Sequence, residues 1–360
     1  MSLLLTAPGE AERIRRAQAF CAEFLGPSPR PRYVFGRNVY GAALLEAAPI
    51  AGFVDDYTSE REFLGKPVVK SSDLPKDAMV IAASGGRPLS VQRQLDGLGL
   101  EHLDYFAFLK WSGRPLTPVV FNEGFAEDYA AHEAEYQWIH DTLADEESRQ
   151  CFRKLVSFRI KYDLALLEGF TAREDRQYFE PFLGLKKSGE TFVDIGGFDG
   201  YTSLQFIEQC PDYAAIHLFE PEPDNYQRCV ERLQAHPRAH CRQMGLSNAK
   251  GELRMAPQGS ASKLSNEGSV TVQVDTLAAV VSDPVSLIKI DIEGAEYPAL
   301  QGAEAIIQRD HPRLALAIYH TAGDFWRIPR LVLAMRPDYR IYLRHYTESI
   351  YETVMSFVPG

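Results

Sequence analysis

The stretch TFVDIGGFDGYTS, residues 191–203, limits what this chain can fold into more than any other. Phe192, Val193 and Ile195 flank Asp194 in a short run that is apolar on both faces, the pattern of a parallel strand covered by helices. Gly196, Gly197 and Gly200 then turn the backbone sharply and let a ligand approach main-chain atoms that a Cβ would block. The amphipathic segment that follows, through Tyr201 and Thr202 to Gln209, reads as a helix whose first amides face a polar ligand. Further on, the run 215–219 reads as the next strand, closed by Glu220 and Pro221. A carboxylate at that place is where open α/β sheets hold the two ribose hydroxyls of a nucleoside. The spacing D-x-G-x-x-x-G differs from the G-x-G-x-x-G of dinucleotide-binding sheets. An acid at 194 repels a pyrophosphate and attracts an ammonium. A ligand with a cationic amino acid at one end and a ribose at the other is S-adenosyl-L-methionine. Acids that merely cap strand ends and helix starts would leave the order strand, acid, glycine turn, helix, strand, acid unexplained.

At 360 residues the chain is long enough for more than one domain, and its 45% hydrophobic content suffices for packed cores. A net charge of −11 with no Lys/Arg-rich run argues against nucleic acid as a partner. No stretch approaches a transmembrane span, and the N-terminus lacks a charged-then-apolar signal, so a cytoplasmic location is expected. The five cysteines are scattered without C-x-x-C, and the nine histidines form no H-E-x-x-H pair. Neither a disulfide framework nor a thiolate metal site is expected.

Residues 1–31 read as a leading amphipathic helix over 10–25 and a proline-rich linker. Residues 32–113 alternate strands and helices as a small doubly wound, Rossmann-like sheet, with strands at 33–35, 50–54, 67–69, 79–83 and 103–106. The glycine turn 36–41, GFVDD at 52–56 and GKPV at 65–68 resemble the small N-terminal domain of bacterial sugar acetyltransferases. That resemblance implies binding of a nucleotide-linked sugar, beside which a structural or docking role stands open. Residues 114–189 read as a helical bridge of two charged helices, 125–143 and 147–167; Arg159 and the later Tyr178 lie in segments that could reach a site, with plain surface the favoured reading. Residues 190–360 hold the main sheet. After 215–219 come strands at 240–244, 285–290 and 313–319. An antiparallel insertion is expected over 252–255 and 270–274, with the polar loop 258–262 reaching over the ligand, and a terminal hairpin over 339–344 and 352–357.

Strand ends 194, 220, 247, 291 and 320 would share one crevice, because ligands in open α/β sheets lie outside the carboxyl ends of the strands. Asp194, Gly196, Gly197, Asp199, Gly200, Tyr201, Thr202, Glu220, Pro221, Ser247 and Asp291 are thus the cofactor-binding candidates. His320, Asp291 and Glu293 are the catalytic candidates at these strand ends, a neutral imidazole suiting proton abstraction near pH 7. Glu296 reads as a helix N-terminal acid. Asp291 and Glu293 suit hydrogen bonds to acceptor hydroxyls rather than a metal, for which the sequence names no third oxygen ligand.

Four segments together, VDIGGFDG at 193–200, FEPEP at 219–223, LIKIDIEGAE at 287–296 and IYH at 318–320, resemble the FkbM family of S-adenosylmethionine-dependent methyltransferases. The resemblance implies a seven-stranded Rossmann-like methyltransferase sheet, six strands parallel and the last antiparallel, with O-methylation of a hydroxyl on a sugar, glycan or related natural product. The acceptor would be a small molecule or glycan, including a nucleotide-linked sugar. Where such relatives carry Ala-Asn after the first glycine, this chain has Gly197-Phe198, so Asp199 or main-chain amides must take over that contact. From another class, a non-catalytic nucleotide-sugar-binding or docking protein of glycan biosynthesis is the rival; it would release no S-adenosylhomocysteine.

Overall fold

Alternation within single strands decides the two faces of the first sheet. In the computed structural model, which describes residues 3–256, 263–264 and 270–360, one compact unit comprises Met1–Ala126, Phe152–Arg173 and Tyr346–Tyr351. Its strands are β1 (Arg32–Phe35), β2 (Gly52–Val54), β3 (Glu62–Phe63), β4 (Lys66–Val69), β5 (Met79–Ala82) and β6 (Glu101–Asp104), in the order β3-β4-β2-β1-β5-β6. All neighbours are parallel except β3 and β4. Val34, Phe53 and Ile81 pack on one face against Phe20, Phe24 and Phe108, while Phe35, Val54 and Val80 pack on the other against Leu95. These partners come from helices α1 (Glu10–Leu25), α3 (Pro88–Leu98) and α4 (Tyr105–Trp111), and α2 (Val39–Ala47) adds Leu44 to the first face. Asn38 starts α2 by accepting from the N–H groups of Tyr40 and Gly41. The strand expected over 103–106 stops at Asp104, whose side chain accepts from the Ala107 N–H and turns Tyr105 and Phe106 into α4. Arg159, expected at the surface, is buried and donates to the carbonyls of Phe121 and Ile350.

The other unit comprises Glu127–Cys151, Glu174–His345 and Glu352–Gly360. Helices α5 (Phe125–Thr142) and α6 (Glu146–Lys161) contribute residues to both units. The main sheet is built from β7 (Thr191–Ile195), β8 (Ala215–Phe219), β9 (Ala239–Arg242), β14 (Leu287–Ile290), β15 (Arg313–Ala317), β16 (Tyr339–His345) and β17 (Thr353–Pro359). Their order is β16-β17-β15-β14-β7-β8-β9, with β17 antiparallel to both neighbours and the remaining pairs parallel. The sheet carries helices α7 (Tyr201–Gln209), α8 (Pro223–Leu233), α9 (Leu277–Val280), α10 (Glu296–Gly302), α11 (Glu304–Asp310) and α12 (Asp324–Met335). Every residue of β7 and β14 is buried, which is why both read as apolar on two faces.

Between β9 and β14 a small sheet of β10 (Gly245–Leu246), β11 (Gly251–Ala256), β12 (Lys263–Leu264) and β13 (Val270–Asp275) is inserted. β11 and β13 pair antiparallel as the alternation predicts, with Glu252 opposite Gln273. The loop expected at 258–262 lies outside the described residues. Helix α10 meets this insertion at Gly302, where an added Cβ would lie 2.0 Å from the Ser247 carbonyl oxygen. In an open helix Gly→Ala gains roughly 1 kcal/mol. Here Gly302→Ala should instead cost about 1–3 kcal/mol through overpacking, read as a lower denaturant midpoint. A stabilised variant would contradict this close approach.

Candidate active site

β7 ends in the bend that organises the site. Gly196 has φ +82°, and a Cβ there would sit 2.0 Å from the Asp291 carbonyl oxygen; at Gly197 it would sit 2.5 Å from the Leu218 side chain. Only glycine lets this bend lie so close to β14 and β8. Phe198 is held in the left-handed region at φ 51°. Its N–H donates to Glu220 Oε2 (2.8 Å), and its carbonyl accepts from the Cys229 thiol (3.1 Å). Such a backbone persists only where its surroundings over-determine it.

Asp194 faces Lys289 directly across the β7–β14 pair. Asp194 is fully buried, 3.2 Å from Lys289 Nζ, and accepts a 2.8 Å hydrogen bond from Ser203 Oγ. Lys289 also donates to the Gly196 carbonyl. Burial opposes its charge, but Asp194 and Asp291 outweigh it and raise the Lys289 pKa. Asp194 therefore does not reach the crevice as expected. Its charge is already neutralised by Lys289, and it acts on the bend through that ammonium.

Above the bend lies a cavity of about 500 Å³, lined by Gly196, Gly197, Asp199, Tyr201, Thr202, Glu220, Pro221, Asp291 and Glu293 among the residues anticipated from sequence. Asp194, Gly200, Ser247 and His320 are not part of its lining. Gly200 instead opens α7 at φ +80°, and Ser247 turns its N–H to Asp275 while Gly245 and Leu246 line the wall. Ile195, Phe219, Leu246, Val272 and Val274 make one side apolar. Glu220 accepts from Glu222 N–H (2.9 Å) as well as from Phe198. Burial outweighs these bonds and pushes its pKa up to about 6.

The opposite side is a crowd of acids. Glu293 and Gly294 take positive φ (58° and 102°), so the chain folds back after β14. Glu296, expected to be a helix N-terminal acid, is buried inside this fold. It accepts from the N–H groups of Ile292 (2.8 Å) and Gly294 (3.0 Å), and its Oε1 lies 2.8 Å from His320 Nδ1. His320 Nε2 lies 3.5 Å from Asp291 Oδ1 and 3.8 Å from Glu293 Oε2. Burial disfavours the imidazolium, but Glu296, Asp291 and Glu293 together raise the His320 pKa to about 10. A raised pKa favours the imidazolium, which has no lone pair to act as a base. One ligand atom each from Asp291, Glu296 and His320 fall within 4.8 Å of one another, a spacing open to a metal ion.

Sequence reading missed Gln177, Lys289, Tyr319 and Glu352, and placed Tyr178 on the surface. All five line the cavity. Tyr178 donates to Asp291 Oδ2, Gln177 donates to Tyr178 (2.8 Å) and Glu352 (2.6 Å), and Tyr319 donates to Glu352 (3.1 Å). Lys289 had a signal, a lone cation inside an apolar strand. The segment that carries Gln177 and Tyr178 has no periodicity to read.

Burial pushes Glu293 and Glu352 up to about 7, with Asp291 adding to both, and Asp324 up to about 6. Each of these acids holds its proton more tightly folded than unfolded, so its contribution is complete below about pH 4 and is lost as pH rises through 6–7. The His320 contribution is complete below about pH 6.5 and is lost as pH rises toward 10, with the same sign. The unliganded protein should therefore lose melting temperature steadily from about pH 5 to pH 9. Glu293→Gln should flatten the lower half of that slope and melt higher than the parent at pH 8. A flat or rising profile would contradict the crowding.

A parallel sheet with a glycine bend, a cavity over its carboxyl ends and an acid closing the second strand is the arrangement in which open α/β sheets hold their ligands. Residues 194–350 match the family model of the methyltransferase FkbM domain. The hexuronic acid methyltransferase AglP of Haloferax volcanii is 31% identical over 108 residues, which covers 28% of this chain and 45% of that relative. The chain thus aligns with less than half of that relative's length. The crystal structure of methyltransferase FkbM from Methylobacillus flagellatus KT shares the fold, with a TM-score of 0.72 over 97% of this chain and 99% of that one at 21% identity. Among the described residues, no helix is long and apolar enough to cross a membrane.

Proposed function

We propose that this protein is an S-adenosylmethionine-dependent O-methyltransferase acting on a hydroxyl of a sugar, glycan or related natural product. The observation that carries the reading is Glu220 beside the glycine bend, on the wall of a cavity sized for a small molecule. Each Glu220 oxygen accepts one main-chain N–H and keeps a further acceptor site, so the pair suits two ribose hydroxyls. Ile195, Phe219 and Leu246 offer apolar surface for a base. Asp291, held by Tyr178, is placed for an ammonium. The donor set and the close-packed glycines therefore fit an S-adenosyl compound. The sugar acceptor is supported by the name of the hexuronic acid methyltransferase relative.

The cofactor would supply a methyl group on a sulfonium, and the acceptor hydroxyl must give up its proton as the new bond forms. Glu293 is the residue for that proton. It lines the cavity, its Oε2 is buried and accepts no hydrogen bond, and its pKa near 7 matches the working range of a general base. His320 is a positioning residue: its charge keeps Asp291, Glu293 and Glu296 together. Holding the reactants in line can lower the barrier by about 7–11 kcal/mol.

S-adenosylhomocysteine should raise the melting temperature of the parent, and Glu220→Ala should abolish the shift. Glu293→Gln should keep the shift and lower turnover by about 10²–10⁴. Turnover that survives in Glu293→Gln would remove Glu293 as the base. A shift that survives in Glu220→Ala would remove the nucleoside assignment.

A further inference from the structure

The cavity combines two features that a nucleoside and a methionine do not use up. Among the described residues its lining carries six acids, Glu174, Asp199, Glu220, Asp291, Glu293 and Glu352, and two bases, Lys289 and Arg232. Both bases are already committed: Lys289 to Asp194 (3.2 Å) and Arg232 to Asp199 (2.8 Å). Behind the wall, the His320 cation is matched by Glu296. S-adenosylmethionine brings one net positive charge, which leaves most of this excess in place. Glu293 Oε2 is moreover buried without a hydrogen-bond donor, a state that favours a ligand able to donate to it.

The second feature is aromatic. Phe198 and Tyr201 are 41% and 49% exposed, two of the five large apolar side chains exposed among the described residues, and both line this cavity. Arg232 lies 5.6 Å from the centre of the Tyr201 ring, so that side chain has a cationic partner. Phe198 keeps its ring exposed from a left-handed backbone fixed by Glu220 and Cys229. Exposed rings lining a cavity suit the C–H face of a sugar ring.

On the reading of this cavity as a sugar O-methyltransferase site, we infer that the acceptor is an amine-bearing sugar, with its ammonium toward the Glu293 and Glu352 side. A uronate or a nucleotide-linked sugar would bring negative charge to a wall whose two described bases are already paired with acids, and like-charge juxtaposition is a strong discriminator. The acceptor of this chain then differs in charge from the substrate class in the name of its hexuronic acid relative.

The test is calorimetric titration of four probes into the full-length protein saturated with S-adenosylhomocysteine: the methyl glycosides of a hexose, of a 2-amino-2-deoxyhexose and of a hexuronic acid, and a uridine diphosphate hexose. The amino glycoside should bind about tenfold or more tighter than the neutral hexoside, and both charged-negative probes more weakly than the hexoside. Glu352→Gln should narrow the gap between the amino and neutral glycosides. Tightest binding by the uronide or the nucleotide sugar, equal binding by amino and neutral probes, or no binding by any probe overturns the inference and leaves the cofactor assignment standing. Failure to saturate with S-adenosylhomocysteine overturns the methyltransferase reading itself, and this inference with it.

Discussion

The site depends on one buried ion pair. Lys289, in the middle of a strand that is otherwise apolar, reaches Asp194 across the parallel pair and also holds the carbonyl of Gly196. Removing two charges from water is costly, and only good geometry with further hydrogen bonds offsets it. Here Ser203 supplies one such bond and the glycine carbonyl another. The pair therefore fixes where β7 ends, how the bend leaves it, and how close that bend lies to Asp291. Loss of either partner would strand the other charge in the core, a change of about 3–5 kcal/mol.

From that anchor the rest of the cavity follows by charge. The bend sets Phe198, whose N–H fixes Glu220 on one side. The other side of the crevice gathers Asp291, Glu293, Glu296 and Glu352 around a single buried imidazole. These acids repel one another, and His320 answers by staying protonated while Glu293 and Glu352 rise toward 7. One cation among several carboxylates leaves some of them poised between charge states. That is the condition general acid–base chemistry near neutral pH requires.

Much of this is legible in the sequence, because it is local. An apolar run closed by an acid and glycines specifies a buried strand and a bend, and Glu220 at the next strand end marks the crevice. The positions of Asp291 and Glu293 followed from the same rule. What failed was the direction of side chains. Asp194 looked like a ligand-facing acid because nothing in a linear sequence says that Lys289 stands opposite it. His320 looked like a neutral base because its charge depends on three carboxylates, and Glu296 lies a full chain segment away. Tyr178 and Gln177 come from an irregular stretch that enters the cavity only through tertiary packing, and Glu352 sits at a left-handed residue just ahead of β17.

A crystal structure of the protein soaked with S-adenosylhomocysteine tests the nucleoside assignment most directly. The account predicts density in the cavity above Gly196 and Gly197, with both ribose hydroxyls within hydrogen-bond distance of Glu220 and the homocysteine ammonium beside Asp291. Density for the nucleoside elsewhere, or a Glu220 that makes no contact with the ribose, would contradict it.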